Sequence, residues 1–201
     1  MITSADARIL ILLVRDTLEG SFSGKSSEES LLVVKDRDKE RFSRKQGVFV
    51  TLHKHDELRG CIGFVEPVYP LYEAVVRAAQ AAAFEDPRFA PVAEDELGEI
   101  HIEISVMSVP KTLEAGSAEE YPEKISVGRD GLIIRKGFRS GLLLPQVATE
   151  YGWSSEEFLE HTCWKAGLPP AAWKSPEATI MTFQAQVFKE TAPGGSVVEV
   201  M

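Results

Sequence analysis

Cysteine is scarce in this chain: Cys61 and Cys163 are its two thiols in 201 residues. They lie far apart and show no Cys-x-x-Cys spacing, which argues against a disulfide scaffold and against a structural zinc site. Positive charge is also short, with 22 Lys and Arg against 31 Asp and Glu and a formal net charge of −9. The average field therefore repels phosphate backbones and acidic membrane surfaces, so a nucleic-acid partner is not expected. The mixed-sign segment from Arg37 to Lys45 reads as a solvated face. Long apolar runs are missing too. Ile9 to Val14 is bracketed by Asp6, Arg8, Arg15 and Asp16 and is far too short to cross a bilayer, and no signal-peptide pattern precedes it. There is no glycine-rich phosphate loop, no Ser-His-Asp signature and no radical-SAM cysteine cluster, so no cofactor is expected. These absences make a reducing cytoplasm the simplest compartment and exclude a membrane role.

What remains is ordinary globular composition, 44% hydrophobic and 26% charged. Hydrophobic periodicity places an amphipathic helix over Ser4 to Leu18 with Ser4 as N-cap, then a Ser/Gly-rich loop over Gly20 to Glu29. Strands are expected over Gly47 to His53, where Val48, Val50 and Leu52 form an apolar face, and over Leu58 to Phe64. In the preferred register a five-residue connection sets Thr51 opposite Cys61 and His53 opposite Arg59. A buried helix follows, opening at Pro70 and rich in alanine, and then the strand Glu99 to Ser108 with Ile100, Ile102, Ile104 and Val106 on one face. A second hairpin is expected around Gly137 to Ser140, a short helix after Pro145, a capping box at Ser154 to Glu157 opening a helix closed by Gly167, and a last strand over Thr179 to Val187. Residues 191 to 201, with Pro193-Gly194-Gly195, read as a mobile tail. Strand pairs followed by helices occur twice, which raises a diverged internal duplication. The order fits an α+β fold with a mainly antiparallel sheet flanked by helices.

The stretch Leu58-Arg59-Gly60-Cys61-Ile62-Gly63 carries the chemistry. Gly60 and Gly63 strip side chains from around Cys61 and open the backbone to close approach, while the Arg59 charge would favour a thiolate. If the polar faces of the three strands coincide, Cys61 shares a surface with Arg59, Thr51, His53, His101, Glu103 and Ser105. A histidine, His53 or His101, would then deprotonate Cys61, Glu103 would orient it, and amides around Gly60 and Gly63 would hold an oxyanion. The bland reading makes Cys61 a small buried residue and the glycines packing clearances. Asp86 and Arg88 read first as a local ion pair in a turn and second as ligand contacts, and Gln146 as a helix start or a ligand contact. His53-x-His55 lacks a third partner, so no metal site is expected. Cys163, Trp153, Trp164 and Trp173 read as packing residues.

Several of these segments resemble the AMMECR family, called AmmeMemoRadiSam system protein A in prokaryotes. They are Gly-Val-Phe-Val-Thr-Leu at 47–52, Leu-Arg-Gly-Cys-Ile-Gly at 58–63, Phe-Glu-Asp-Pro-Arg-Phe at 84–89 and Ile-Glu-Ile-Ser-Val at 102–106. Leu-Leu-Pro-Gln-Val at 143–147, Cys-Trp-Lys-Ala-Gly-Leu at 163–168 and Trp173 complete the set. The resemblance implies one α+β domain over residues 1–190, built of two lobes with a cleft, and a Memo-type and a radical SAM protein as partners. It supplies no established reaction. Two functions follow: a cysteine-dependent enzyme or enzyme subunit acting through Cys61 on a small-molecule or protein substrate, or a non-catalytic adaptor that docks a partner on strand 58–63.

Overall fold

The computed structural model describes residues 2–32 and 34–200. In chain order the elements are α1 (Ser4–Phe22), α2 (Ser27–Leu32), α3 (Asp36–Arg41), β1 (Val48–Lys54), β2 (Glu57–Phe64), α4 (Leu71–Phe84), β3 (Ile100–Met107) and β4 (Lys111–Thr112). They continue with α5 (Tyr121–Lys124), β5 (Gly131–Lys136), β6 (Arg139–Leu143), α6 (Pro145–Glu150), α7 (Ser155–Lys165), β7 (Thr179–Phe183), β8 (Ala185–Glu190) and β9 (Val197–Glu199). The fold is α+β with antiparallel pairings, and the chain divides into two compact units, residues 1–107 with 186–201 and residues 108–185.

In the first unit the sheet runs β2-β1-β3-β8-β9, so β2 is an edge strand. Alternation sorts its side chains. Val48, Val50, Leu52, Ile100, Ile102 and Ile104 are fully buried in one core with Leu10, Val14, Val75 and Ala79 of α1 and α4. Helix α1 is capped one residue earlier than expected, by Thr3 in a reciprocal capping box with Asp6, so Ser4 is its first residue, and it runs on through Gly20. The expected loop at 20–29 is thereby shortened to the few residues before α2. Helix α4 packs tightly on the hairpin. A Cβ at Gly60 would collide with the Ala82 carbonyl oxygen, so glycine here sets the helix-to-sheet distance.

The hairpin closes differently from the expected five-residue loop. His55 (φ 52°) and Asp56 (φ 63°) make a two-residue turn between the paired Lys54 and Glu57. Two left-handed residues match the right-handed twist of the strands, as in a type I′ turn. The register then slips at Arg59, so His53 pairs with Leu58 while Leu52 pairs with Gly60 and Thr51 with Cys61. Thr51 opposite Cys61 is as expected; His53 opposite Arg59 is not.

The second unit holds the sheet β4-β7-β5-β6 around a core of Leu132, Ile134, Phe158, Cys163, Trp173 and Ile180. Its order β6-β5-β7 repeats the order β2-β1-β3, and each set is a hairpin, a helical segment and a strand returning antiparallel beside the first. Gly141 takes the place of Gly60: a Cβ there would meet the backbone of Thr162 and Ala166 on α7. The repetition is thus one of topology and helix contact. The expected single strand over 179–187 is split between the two sheets at Gln184, whose backbone N–H bonds the Ser108 hydroxyl (2.9 Å) and whose carbonyl accepts the Ser108 N–H (2.7 Å). The expected mobile tail also carries structure, since β9 pairs antiparallel with β8.

Candidate functional site

β1, β2 and β3 turn their polar faces the same way. Thr51 stands between Cys61 on one side and Glu103 on the other, and His53 faces His101 across β1 and β3. Cys61 is half-buried, and the Thr51 hydroxyl donates to its Sγ at 3.3 Å. His53 and His101 lie parallel, with ring centroids 5.2 Å apart. The Nε2 of His53 is 3.6 Å from a Glu103 oxygen, and it is buried with no hydrogen-bond partner among the described residues. His101 Nε2 is 3.8 Å from Asp56. Ser105 is buried on the same face, opposite Phe49.

Cys61 and His53 are diagonal neighbours on adjacent strands, a separation of roughly 7–8 Å between Cα atoms in such pairs. The thiol's hydrogen-bond partner is therefore Thr51, and direct contact with the histidine is not part of the geometry. Proton transfer between them needs a bridging water or a substrate group.

The backbone of Cys61 is held from outside the sheet. Because β2 is an edge strand, every second residue presents its N–H and C=O to open space. At Cys61 both are taken: the N–H donates to Asp86 Oδ2 (2.9 Å), and the C=O accepts from Arg88 Nη2 (3.1 Å). Asp86 and Arg88 are joined to one another by two charge-assisted bonds of 2.9 and 2.7 Å, and Asp86 also accepts the Arg88 N–H at 3.1 Å. The Asp86 carboxyl side chain is 2% exposed and Arg88 53%. The Arg88 guanidinium holds the Asp86 carboxyl well below the usual carboxylate range, aided by the Cys61 and Arg88 amides against the opposing effect of burial, and Asp86 in turn raises Arg88. The Asp-Pro-Arg turn is the local ion pair that its sequence suggests, and it is also the clamp on the cysteine.

This geometry corrects three readings of the hexapeptide. The spaces left by Gly60 and Gly63 are filled by protein: Ala82 backs Gly60, and Val48 and the Phe49 ring back Gly63. The Cys61 amide is already bonded to Asp86 and so is not free to hold an oxyanion. Arg59 is turned away to a bidentate pair with Glu96 (3.0 and 2.8 Å) and to the carbonyls of Ala90 and Pro91, which pins the segment after α4. Arg59 with Lys54 lowers Glu96 to about 2. The cation beside Cys61 is Arg88. Gln146 lies on α6 in the second unit, where its Oε1 is buried without a hydrogen-bond partner among the described residues. Cys163 is fully buried on α7, and burial pushes its thiol up. Trp173 is buried as expected, whereas Trp164 is 58% exposed. Among the described residues no group of three or more His, Cys, Asp or Glu is placed to hold a metal ion, and no helix is long and apolar enough to cross a membrane.

Comparison with known proteins gives the lineage. Protein MK0488 of Methanopyrus kandleri is 50% identical over 98% of this chain and 95% of its own length, and Protein MJ0810 of Methanocaldococcus jannaschii is 44% identical over 99% and 97%. The crystal structure of uncharacterized protein PH0010 from Pyrococcus horikoshii superposes with a TM-score of 0.85 at 43% identity, covering 98% of each chain. The AMMECR1 family model matches residues 11–188, which include the hairpin with Cys61, the Asp86–Arg88 clamp and the histidines of β1 and β3, and the chain belongs to that family.

Proposed function

We propose that the protein is a thiol-dependent enzyme or enzyme subunit in which Cys61 is the nucleophile of an acyl-transfer or hydrolytic reaction. The observation that carries this reading is the placement on one sheet face of the half-buried Cys61 thiol, Thr51 and His53, with a Glu103 oxygen 3.6 Å from the His53 Nε2. Thr51 orients the sulfur, Arg88 holds the Cys61 backbone through its carbonyl, and Glu103, 3.6 Å from the histidine, would stabilise the imidazolium formed when the histidine takes a proton. Two free thiols suit a reducing compartment, which supports a cytoplasmic reading. The Memo-type and radical SAM proteins implied by the family resemblance are the partners proposed for it.

The adaptor reading is weaker on this geometry. A partner strand adding to the edge of β2 would have to displace Asp86 and Arg88 from both backbone groups of Cys61.

The test uses an activated ester, p-nitrophenyl acetate. Attack by the Cys61 thiolate on the carbonyl carbon forms a thioester and expels p-nitrophenolate, and water then releases acetate. Mass spectrometry should find the acetyl group on Cys61 alone, at a rate reduced about tenfold or more in Thr51→Val and His53→Gln. Acetylation of surface lysines with Cys61 untouched refutes the proposal.

A further inference from the structure

The second unit leaves two aromatic rings largely in water, bridged by the half-buried rings of Trp153 and His161. Tyr151 is 69% and Trp164 58% exposed. Exposed apolar area of this kind, when it is contiguous, marks a candidate contact surface. Tyr151 stacks on Trp153 (centroids 4.9 Å apart, planes at 14°), Trp153 stacks on His161 (3.7 Å, 4°), and Trp164 meets His161 edge to face (4.8 Å, 89°).

The backbone holds the array rigidly. Helix α6 ends in a Schellman motif: Gly152 is left-handed (φ 66°), its N–H bonds Thr149 O, and the Trp153 N–H bonds Ala148 O. Ser154 caps α7 at once through a reciprocal box with Glu157. Trp153 is therefore fixed between two helix ends, and His161 and Trp164, three residues apart, emerge from one face of α7. Aromatic rings fixed in this way lose little entropy on binding.

The surrounding charge selects the occupant. Glu157 and Glu160 share the α7 face with His161 and Trp164, and exposed Glu150 lies beside Tyr151. Lys165 is the basic neighbour on α7, while Lys174 is engaged by Glu156 at 3.2 Å. The negative faces of indole and phenol attract cations, with guanidinium especially suited to stacking, and the acidic rim acts in the same direction while repelling phosphates. We propose that Tyr151, Trp153, His161 and Trp164 form a docking platform for a basic peptide segment of a partner protein, whose Arg or Lys side chains stack on the exposed rings and pair with Glu150 and Glu160. This surface is independent of the Cys61 reading.

Titration of the full chain with an oligo-arginine peptide at low salt, read by tryptophan fluorescence and calorimetry, tests this, with oligo-glutamate and oligothymidylate as competitors for the same surface. Saturable binding to oligo-arginine alone, weakened at least about threefold by Trp164→Ala and by Glu160→Gln, is expected. Absence of binding, equal binding by Trp164→Ala, or preference for oligothymidylate overturns the proposal. Should Trp164→Ala fail to fold, Glu160→Gln alone decides, and unchanged affinity in it counts against the platform.

Discussion

Replacing Asp86 should loosen both the fold and the cysteine. The carboxylate accepts four hydrogen bonds, one from the Cys61 amide and three from Arg88, and its side chain is 2% exposed. Bonds to a charged group contribute about 1.5–3 kcal/mol each, but they are not additive here, and half-exposed Arg88 recovers water when its partner is removed, so Asp86→Ala is expected to cost about 2–4 kcal/mol. Asp86→Asn keeps one acceptor oxygen and should cost about half of that. Arg88→Ala leaves a buried carboxylate alone, so the double variant should be less unstable than the two single losses added together. Urea unfolding at pH 7 with an unchanged slope measures these values. If Asp86→Ala cost less than about 0.5 kcal/mol, the clamp would be a surface ion pair of no consequence, and the argument that it positions Cys61 would fail.

Acid unfolding provides a second check. The carboxyls of Asp86 and Glu96 are lowered in the folded state, Glu96 to about 2, so their stabilisation is complete above the unfolded values near pH 4 and is lost as pH falls towards the folded ones. Stability curves of Asp86→Asn and Glu96→Gln should accordingly be shallower than wild type between about pH 4 and pH 2. Gly60→Ala and Gly141→Ala each force a methyl group against the backbone of a packed helix, and chemical denaturation should show losses of about 2 kcal/mol or more for each. The turn substitution His55→Asn with Asp56→Gly relieves two left-handed non-glycine residues and should stabilise by about 0.5–1 kcal/mol, read as a higher melting temperature.

The sheets were legible in the chain because burial on one face enforces alternation: Val48, Val50 and Leu52, and Ile100 to Val106, needed no tertiary information. Helix α7 was legible from its capping box and Gly167 for the same local reason. The slip at Arg59 was not, because a bulge leaves the hydrophobic pattern of a half-exposed edge strand almost unchanged, and the left-handed His55-Asp56 pair lacks the Asn-Gly that usually announces such a turn. The shared face of the candidate residues was legible, and their contacts were not. Strand alternation put Thr51, Cys61, His53, His101 and Glu103 on one face. What Arg59 and the glycines do depends on segments that pack from elsewhere, Glu96 after α4 and Ala82 within it, and spacing along β2 carries no trace of them. Similarly, Trp164 follows a packing stripe but points outward, one position past buried Cys163.

The most direct test of Cys61 as a working thiol is its rate of alkylation by iodoacetamide in the native protein, followed by peptide mass spectrometry across pH, with fully buried Cys163 as the internal control. Cys61 should react at neutral pH faster than a free cysteine peptide and more slowly in Thr51→Val and Arg88→Ala, while Cys163 stays unmodified until unfolding. Protection of both thiols until the chain unfolds would make Cys61 a structural residue and contradict its proposed role as a nucleophile.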